Sequence, residues 1–262
     1  MKSKFPKIVQ ITIISVYLIF LAGSVVRMTG SGMGCPDWPK CFGYYIPPTS
    51  EKQITWKPNS DYKKGFIIIK DEALFVAEND VKTSIEFNQN NWIKYTKHDY
   101  AKFNKYHTWT EYINRLTSVL AGFVFLFLIY GSLKYWKTNK QITYLAFTAF
   151  FLMLVEAVMG KMVIDTNLKP GVITIHMVIG LIIIALLLKI KFIVSKNKKK
   201  VNYNSIFNKL LIFSVIFSLI QIALGTQVRQ FIDEQVKLFG FENKNYSLMN
   251  ANFKFYFHRS FT

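Results

Sequence analysis

The long apolar runs, almost free of charge, constrain this chain more than any other feature. Residues 8–26 carry no charged side chain at all. A run of about 18 or more apolar residues is what a hydrocarbon core ~30 Å thick asks of a helix. Four more such blocks follow, and spans are expected at about 8–27, 111–136, 141–164, 170–190 and 210–228. Pro170 stands where a proline starts a helix well. A last apolar and aromatic stretch, FKFYFHRSFT, opens a sixth helix at 253 and stops inside it, so a piece of a longer chain is expected. Composition agrees: 51% hydrophobic and 18% charged excludes a disordered chain and argues against a soluble domain. The expected fold is an all-α polytopic membrane protein, a four-helix transmembrane bundle plus the start of a second, repeated bundle.

A net charge of +18 raises the question of nucleic acid. The lysines, however, lie between and beside the apolar blocks, where they set orientation and meet anionic lipid. No recognition motif accompanies them, so no nucleic-acid partner is expected. Lysines crowd the N-terminus (Lys2, Lys4, Lys7), the second-to-third connection (Lys134, Lys137, Lys140) and the fourth-to-fifth connection (Lys189 to Lys209). The positive-inside rule makes these ends cytoplasmic and puts the long first connection outside. The exit of the first helix, VVRMTGSGMGC, lacks a small-x-small cleavage site, so it reads as an anchor and not a signal peptide. The organisation expected is a first four-helix unit over 1–193 with an outer loop at 28–110. A basic cytoplasmic linker follows at 194–209. A second unit then begins over 210–262, with span 210–228, outer loop 229–252 and an incomplete span at 253–262. Strand-like patches such as GFIIIK allow a small packed subdomain in the outer loop.

The helix ends repeat. AGSVVRMTGSG and ALGTQVRQFID match Arg27 to Arg229. EYINRLTS and FYFHRSFT match Tyr112 to Tyr256, Asn114 to His258 and Arg115 to Arg259. Shared polar residues at corresponding ends argue for a parallel repeat of four-helix units. Ionisable groups inside spans are costly and are functional candidates by default. His176 lies about 9 Å into the fourth helix, counting 1.5 Å per residue. Glu111 and Asn114 enter the second helix from the same face, at comparable depth. Histidines projecting from bundle helices are how such bundles hold haem; the bland alternative is an interhelical hydrogen bond. Glu111 also reads as a first-turn carboxylate favoured by the macrodipole, or as the i,i+4 partner of Arg115. Glu156 lines a polar cavity or pairs with a neighbouring helix. Arg27 and Arg229 suit carboxylates or propionates, or simply snorkel. Cys35 and Cys41, in CPDWPKC, form either a structural staple or an exposed redox pair; as a zinc site two thiolates are too few.

These residues resemble a known family. GSVVRMTGSGMGCPDWPKCFGYYIPP, WTEYINRL, GKMVIDTNLKPGVITIH, LGTQVRQFID and FYFHRS are similar, in order, to segments of haem A synthases. The likeness covers most of the chain except about residues 51–101. It implies an eight-helix membrane oxidoreductase of two four-helix halves in the bacterial cell membrane. That enzyme oxidises the C8 methyl of haem O to a formyl group, giving haem A for terminal oxidase assembly. The N-terminal half would hold haem O and the C-terminal half a haem B cofactor. The resemblance implies catalysis by Glu111, iron ligation at position 114, His176 and His258, and a disulfide or redox pair at Cys35 and Cys41. From their places at the helix ends, haem contacts are expected at Arg27, Arg115 and Arg229, while the resemblance implies haem O synthase and oxidase assembly factors as partners. A homo-oligomer is compatible with it, and the electron donor stays open.

Two departures follow. Position 114 is Asn, a poor iron ligand, so His176 would bind alone or with His107, seven residues before Asn114 and about 10 Å further out. The final two helices of the pattern are missing, which predicts little turnover by this chain. The competing functions are a non-catalytic cytochrome b-type electron carrier, which needs paired histidines, and a small repeat-built transporter. A transporter predicts helices broken near the midplane, and the first and fourth spans have no internal proline.

Overall fold

The computed structural model describes residues 4–96, 103–166, 168–195, 204–239, 248 and 251–261. Among the described residues, five helices are long and apolar enough to cross a membrane: α1 (Phe5–Met28), α2 (Lys105–Ser132, continued by a 3-10 turn at Leu133–Tyr135), α3 (Lys140–Asp165), α4 (Pro170–Val194) and α5 (Ser205–Phe239). A short α6 spans Phe253–Ser260. Large apolar side chains such as Leu21, Leu120, Phe127, Phe151, Phe192 and Phe213 face outward along these helices. Lipid is the solvent that tolerates such a surface over so many turns. This is a multi-pass membrane protein.

The chain divides into two compact units, residues 3–133 with 164–167, and residues 134–163 with 168–262. In the first, α1 and α2 run antiparallel. A Cβ on Gly131, near the end of α2, would lie 2.7 Å from the Phe5 ring at the start of α1, while Gly23 late in α1 faces Asn114 early in α2. Small residues allow this approach, which matters because lipid supplies no hydrophobic drive between helices.

The α1–α2 connection carries two small antiparallel sheets. One pairs β1 (Asp61–Tyr62) with β4 (Val81–Lys82); the other orders β2 (Ile67–Lys70), β3 (Ala73–Ala77) and β5 (Trp92–Lys94) as β2-β3-β5. Lys70 pairs with Ala73 across the hairpin, and Asp71 and Glu72 both take positive φ, 49° and 56°. That is the two-residue turn whose twist matches the strands. The subdomain has two cores. Ile54, Ile67, Ile69 and Leu74 pack on Cys35, Cys41 and Phe42, while Ile68, Tyr62, Ala77 and Trp92 form the other. Each fully buried aliphatic side chain here contributes about 1.5–3 kcal/mol.

Two helices extend beyond their expected spans. α2 begins at Lys105 because the Asn104 side chain accepts from the backbone N–H groups of Tyr106 and His107. Glu111 therefore sits in the second turn, past the reach of the macrodipole effect entertained for it. α5 continues to Phe239, past residue 228, helped by the i,i+4 contacts Arg229–Asp233 and Gln230–Glu234. Residues 196–203 of the expected linker at 194–209, and 240–247, 249–250 and 262 of the segment after 239, lie outside the described residues.

Candidate functional site

In the first unit the cysteine loop is bolted to the opening turns of α2. Helical periodicity puts Thr108, Glu111 and Arg115 on one face, and each grips the loop. The Thr108 hydroxyl donates to the Gly34 carbonyl at 2.9 Å. The Cys35 backbone N–H donates to Glu111 Oε2 at 2.8 Å. The Arg115 guanidinium donates to the carbonyls of Asp37 at 2.7 Å, Lys40 at 2.9 Å and Cys35 at 3.3 Å, and to Glu111 Oε1. Gly34 is required: a Cβ there would stand 2.5 Å from the carbonyl carbon and oxygen of His107. Glu111 is 3% exposed, and both of its oxygens are engaged.

Within the loop a disulfide joins Cys35 to Cys41, with Cα atoms 4.9 Å apart. Both cysteines are buried, at 0% and 1% exposure, under Ile54, Ile67, Ile69 and Leu74. The disulfide is therefore covered, as a structural staple would be, and not exposed. The Asp37 carboxylate accepts from the backbone N–H groups of Phe42 and Gly43. Its burial holds that carboxyl above the usual carboxylate range, against the opposing pull of those N–H groups and of Arg115. The Tyr95 hydroxyl donates to the Pro36 carbonyl, and burial pushes that phenol up to about 12. Asn114 Oδ1 is buried with no hydrogen-bond partner.

In the second unit the two histidines each meet a polar side chain of another helix. His176, on α4, places Nδ1 2.7 Å from Glu156 Oε2 on α3. His258, on α6, places Nδ1 2.8 Å from Gln221 Oε1 on α5. The His258 ring also lies against Gly225, where a Cβ would come within 2.9 Å of Cε1. α4 and α5 are tied by the hydroxyls of Thr174 and Thr226 at 2.7 Å. Arg229 pairs with Asp233 at 2.9 Å. Arg27 and His107 are half-buried, and Arg259 is exposed.

Glu111 and Arg115 thus meet as the i,i+4 spacing foresaw, and Glu156 takes the neighbouring-helix reading of its two. Sequence reasoning missed Gly34, Asp37, Thr108 and Gln221. Of these, only Gln221 carried a visible signal, as a lone amide within an apolar helix.

Residues 7–258 match the family COX15-CtaA, described as cytochrome oxidase assembly protein. The chain belongs to this family. Among its relatives is a heme A synthase of Ehrlichia canis (strain Jake), 29% identical over 225 residues, which are 82% of this chain and 56% of the relative. A heme A synthase of Bacillus cereus (strain AH187) is 24% identical over 225 residues, 84% of this chain and 55% of that protein. One of Shewanella oneidensis is 23% identical over 181 residues, 69% and 43% of the respective chains. This COX15-CtaA chain spans about half the length of the curated relatives it matches. No solved structure matches it.

The repeat read from the helix ends has a geometric counterpart within each unit of this COX15-CtaA chain. Gly23, four residues before Arg27, has Asn114 as its neighbour across the helix pair, 3.9 Å from a Cβ position to Oδ1. Gly225, four residues before Arg229, has His258 in the same role at 2.9 Å.

Proposed function

We propose that this chain serves haem A synthesis: oxidation of the C8 methyl of haem O to a formyl group, giving haem A for terminal oxidase assembly. The observation that carries the reading is the family match along residues 7–258, with Glu111 enclosed and gripped where the resemblance puts its catalytic carboxylate. Converting a methyl to a formyl group removes four electrons and adds one oxygen atom. A carboxylate shielded from bulk water is a group able to accept the protons released. Arg115 and the Cys35 N–H fix its two oxygens in place.

His176 and His258 fit haem iron by the chemistry of their donors. Each imidazole has Nδ1 facing an oxygen on a neighbouring helix, the arrangement that orients a ligating histidine. Asn114 does not fit as a ligand, since a neutral amide oxygen is a poor donor to haem iron. His176 is proposed as the ligand to substrate haem O, and His258 as a ligand to a resident haem B. A bound haem B supplies one-electron transfer. Arg27 and Arg229 are proposed as propionate contacts, whereas Arg115 is occupied in holding the cysteine loop.

The proposed setting is a bacterial cell membrane with the N-terminus cytoplasmic and the cysteine loop outside. Lysines at 134, 137 and 140 support that orientation, as does a disulfide in the loop. The proposed partners are haem O synthase and oxidase assembly factors.

The test is haem content. The chain is purified from membranes of a host making haems B and O, and its haem is extracted and separated by chromatography. Haem O or A should be retained and should fall in His176→Ala, haem B should fall in His258→Ala, and Glu111→Ala should shift the balance toward haem O. Absence of any haem, or a composition that none of the three substitutions changes, sinks the reading. An electron carrier would keep its function in Glu111→Ala.

A further inference from the structure

The two histidine contacts share a pattern that the repeat of helix ends does not contain. Glu156 stands four residues before Gly160 and seven before Val163; Gln221 stands four before Gly225 and seven before Val228. Both helices thus carry (Glu/Gln)-x-x-x-Gly-x-x-Val. In both, the residue at the first position presents a side-chain oxygen to Nδ1 of a histidine on another helix, at 2.7 Å and 2.8 Å. The difference between the two residues is chemical. An amide has one end that accepts and one that donates, so Gln221 is compatible with either tautomer of His258. An ionised carboxylate only accepts. Opposite an ionised carboxylate at 2.7 Å a bare nitrogen lone pair would be repulsive, so the contact favours the tautomer with the proton on Nδ1 of His176. His176 Nδ1 and Glu156 Oε1 are both buried without a hydrogen-bond partner, so the 2.7 Å approach of Nδ1 to Oε2 is a close contact that becomes a hydrogen bond once the N–H points at the carboxylate.

We propose that Glu156 is the positioning residue for His176. It holds the proton on Nδ1, leaves Nε2 as the coordinating nitrogen, and gives the imidazole partial imidazolate character. A more basic axial ligand favours ferric iron, so the haem on His176 has a lower midpoint potential than one on an amide-backed histidine. Glu156 does not touch the reacting methyl; it acts through His176. The role rests on the reading of His176 as a haem ligand.

The test uses the full chain in lipid bilayers, with haemin as the probe, and compares wild type, Glu156→Gln and Glu156→Leu. Nitrogen-15 spectra of labelled histidine, with His176 assigned by its own substitution, report the tautomer without any haem. Wild type should show His176 protonated on Nδ1, and Glu156→Leu should lose that preference. Haemin affinity should fall about 10-fold or more in Glu156→Leu, the usual cost of removing such a partner. Glu156→Gln should restore most of that affinity, because its oxygen still accepts, but should raise the midpoint potential. A purely structural glutamate would leave the potential and the tautomer unmoved. Equal affinity, potential and tautomer in all three proteins overturns the proposal. A wild-type chain that takes up no haemin overturns the haem reading, and the iron-directed part of this role with it. The tautomer spectra would then show separately whether the Glu156–His176 contact itself is correct.

Discussion

Glu111, proposed as the catalytic carboxylate, is also part of the architecture. It is 3% exposed, with one oxygen on the Cys35 N–H and the other on Arg115. Removing it leaves a guanidinium and a backbone donor without their partner in a dry site, a loss of about 3–5 kcal/mol for a broken buried pair. Glu111→Ala should therefore lower thermal stability as well as change haem composition, and Glu111→Gln should recover most of the stability but not the proton chemistry. Equal melting temperatures for wild type and Glu111→Ala would refute this. Asp37 gives a prediction in pH. Burial holds its native carboxyl above the ordinary value of 3.8. Its stabilising contribution is thus complete below that value and is lost as pH rises through the native one. Asp37→Asn does not titrate, so the melting temperature of wild type relative to this variant should fall as pH rises above the ordinary carboxyl value. A relative stability that climbs with pH would contradict the assignment. Glu111, Arg115 and the histidines were legible because charge inside an apolar run stands out. Asp37 and Thr108 were not, since a loop carboxylate and a helix threonine are ordinary until the fold closes on them.

At the scale of elements, the two helix pairs differ in how tightly they close. Beside Gly225 a methyl group would meet the His258 ring at 2.9 Å, whereas beside Gly23 it would reach only ordinary contact with Asn114 at 3.9 Å. Gly225→Ala should displace the His258 ring and reduce haem retention several-fold. Gly23→Ala should be neutral or gain up to about 1 kcal/mol of helix propensity. Retention measured on the two variants side by side decides it: equal behaviour would mean the glycines are interchangeable. Because Gly23 and Asn114 meet without crowding, Asn114→His should be accommodated and should raise haem retention over wild type, which optical haem titration would register. The five spans were legible from hydropathy alone. Their ends were not: the Asn104 cap starts α2 at Lys105, and side-chain contacts four residues apart carry α5 on to Phe239. Gly34 escaped notice because its necessity arises from the backbone of His107, more than 70 residues away in the chain.

Taken whole, the chain joins membrane helices, which follow one set of packing rules, to a water-facing β subdomain, which follows another. The helical plan followed from composition, while the subdomain announced itself only by a patch such as GFIIIK. Its two sheets form by pairings between distant residues, Phe75 with Lys94 for instance, which no local pattern encodes. The subdomain's Ile54, Ile67, Ile69 and Leu74 close over the cysteines. Thiol reductants should therefore leave the Cys35–Cys41 bond intact in the folded chain and cleave it only once the loop is denatured. Mass spectrometry after alkylation, with and without denaturant, distinguishes the two states; ready reduction of the native chain would show the cover to be open. That cover also fixes a chronology for biogenesis. An oxidising enzyme can reach the two thiols only while the emerging loop is still open, so the bond has to be made before the hairpin settles. A chain whose hairpin settled first would be sealed in the reduced form, and its repair would require unfolding the lid.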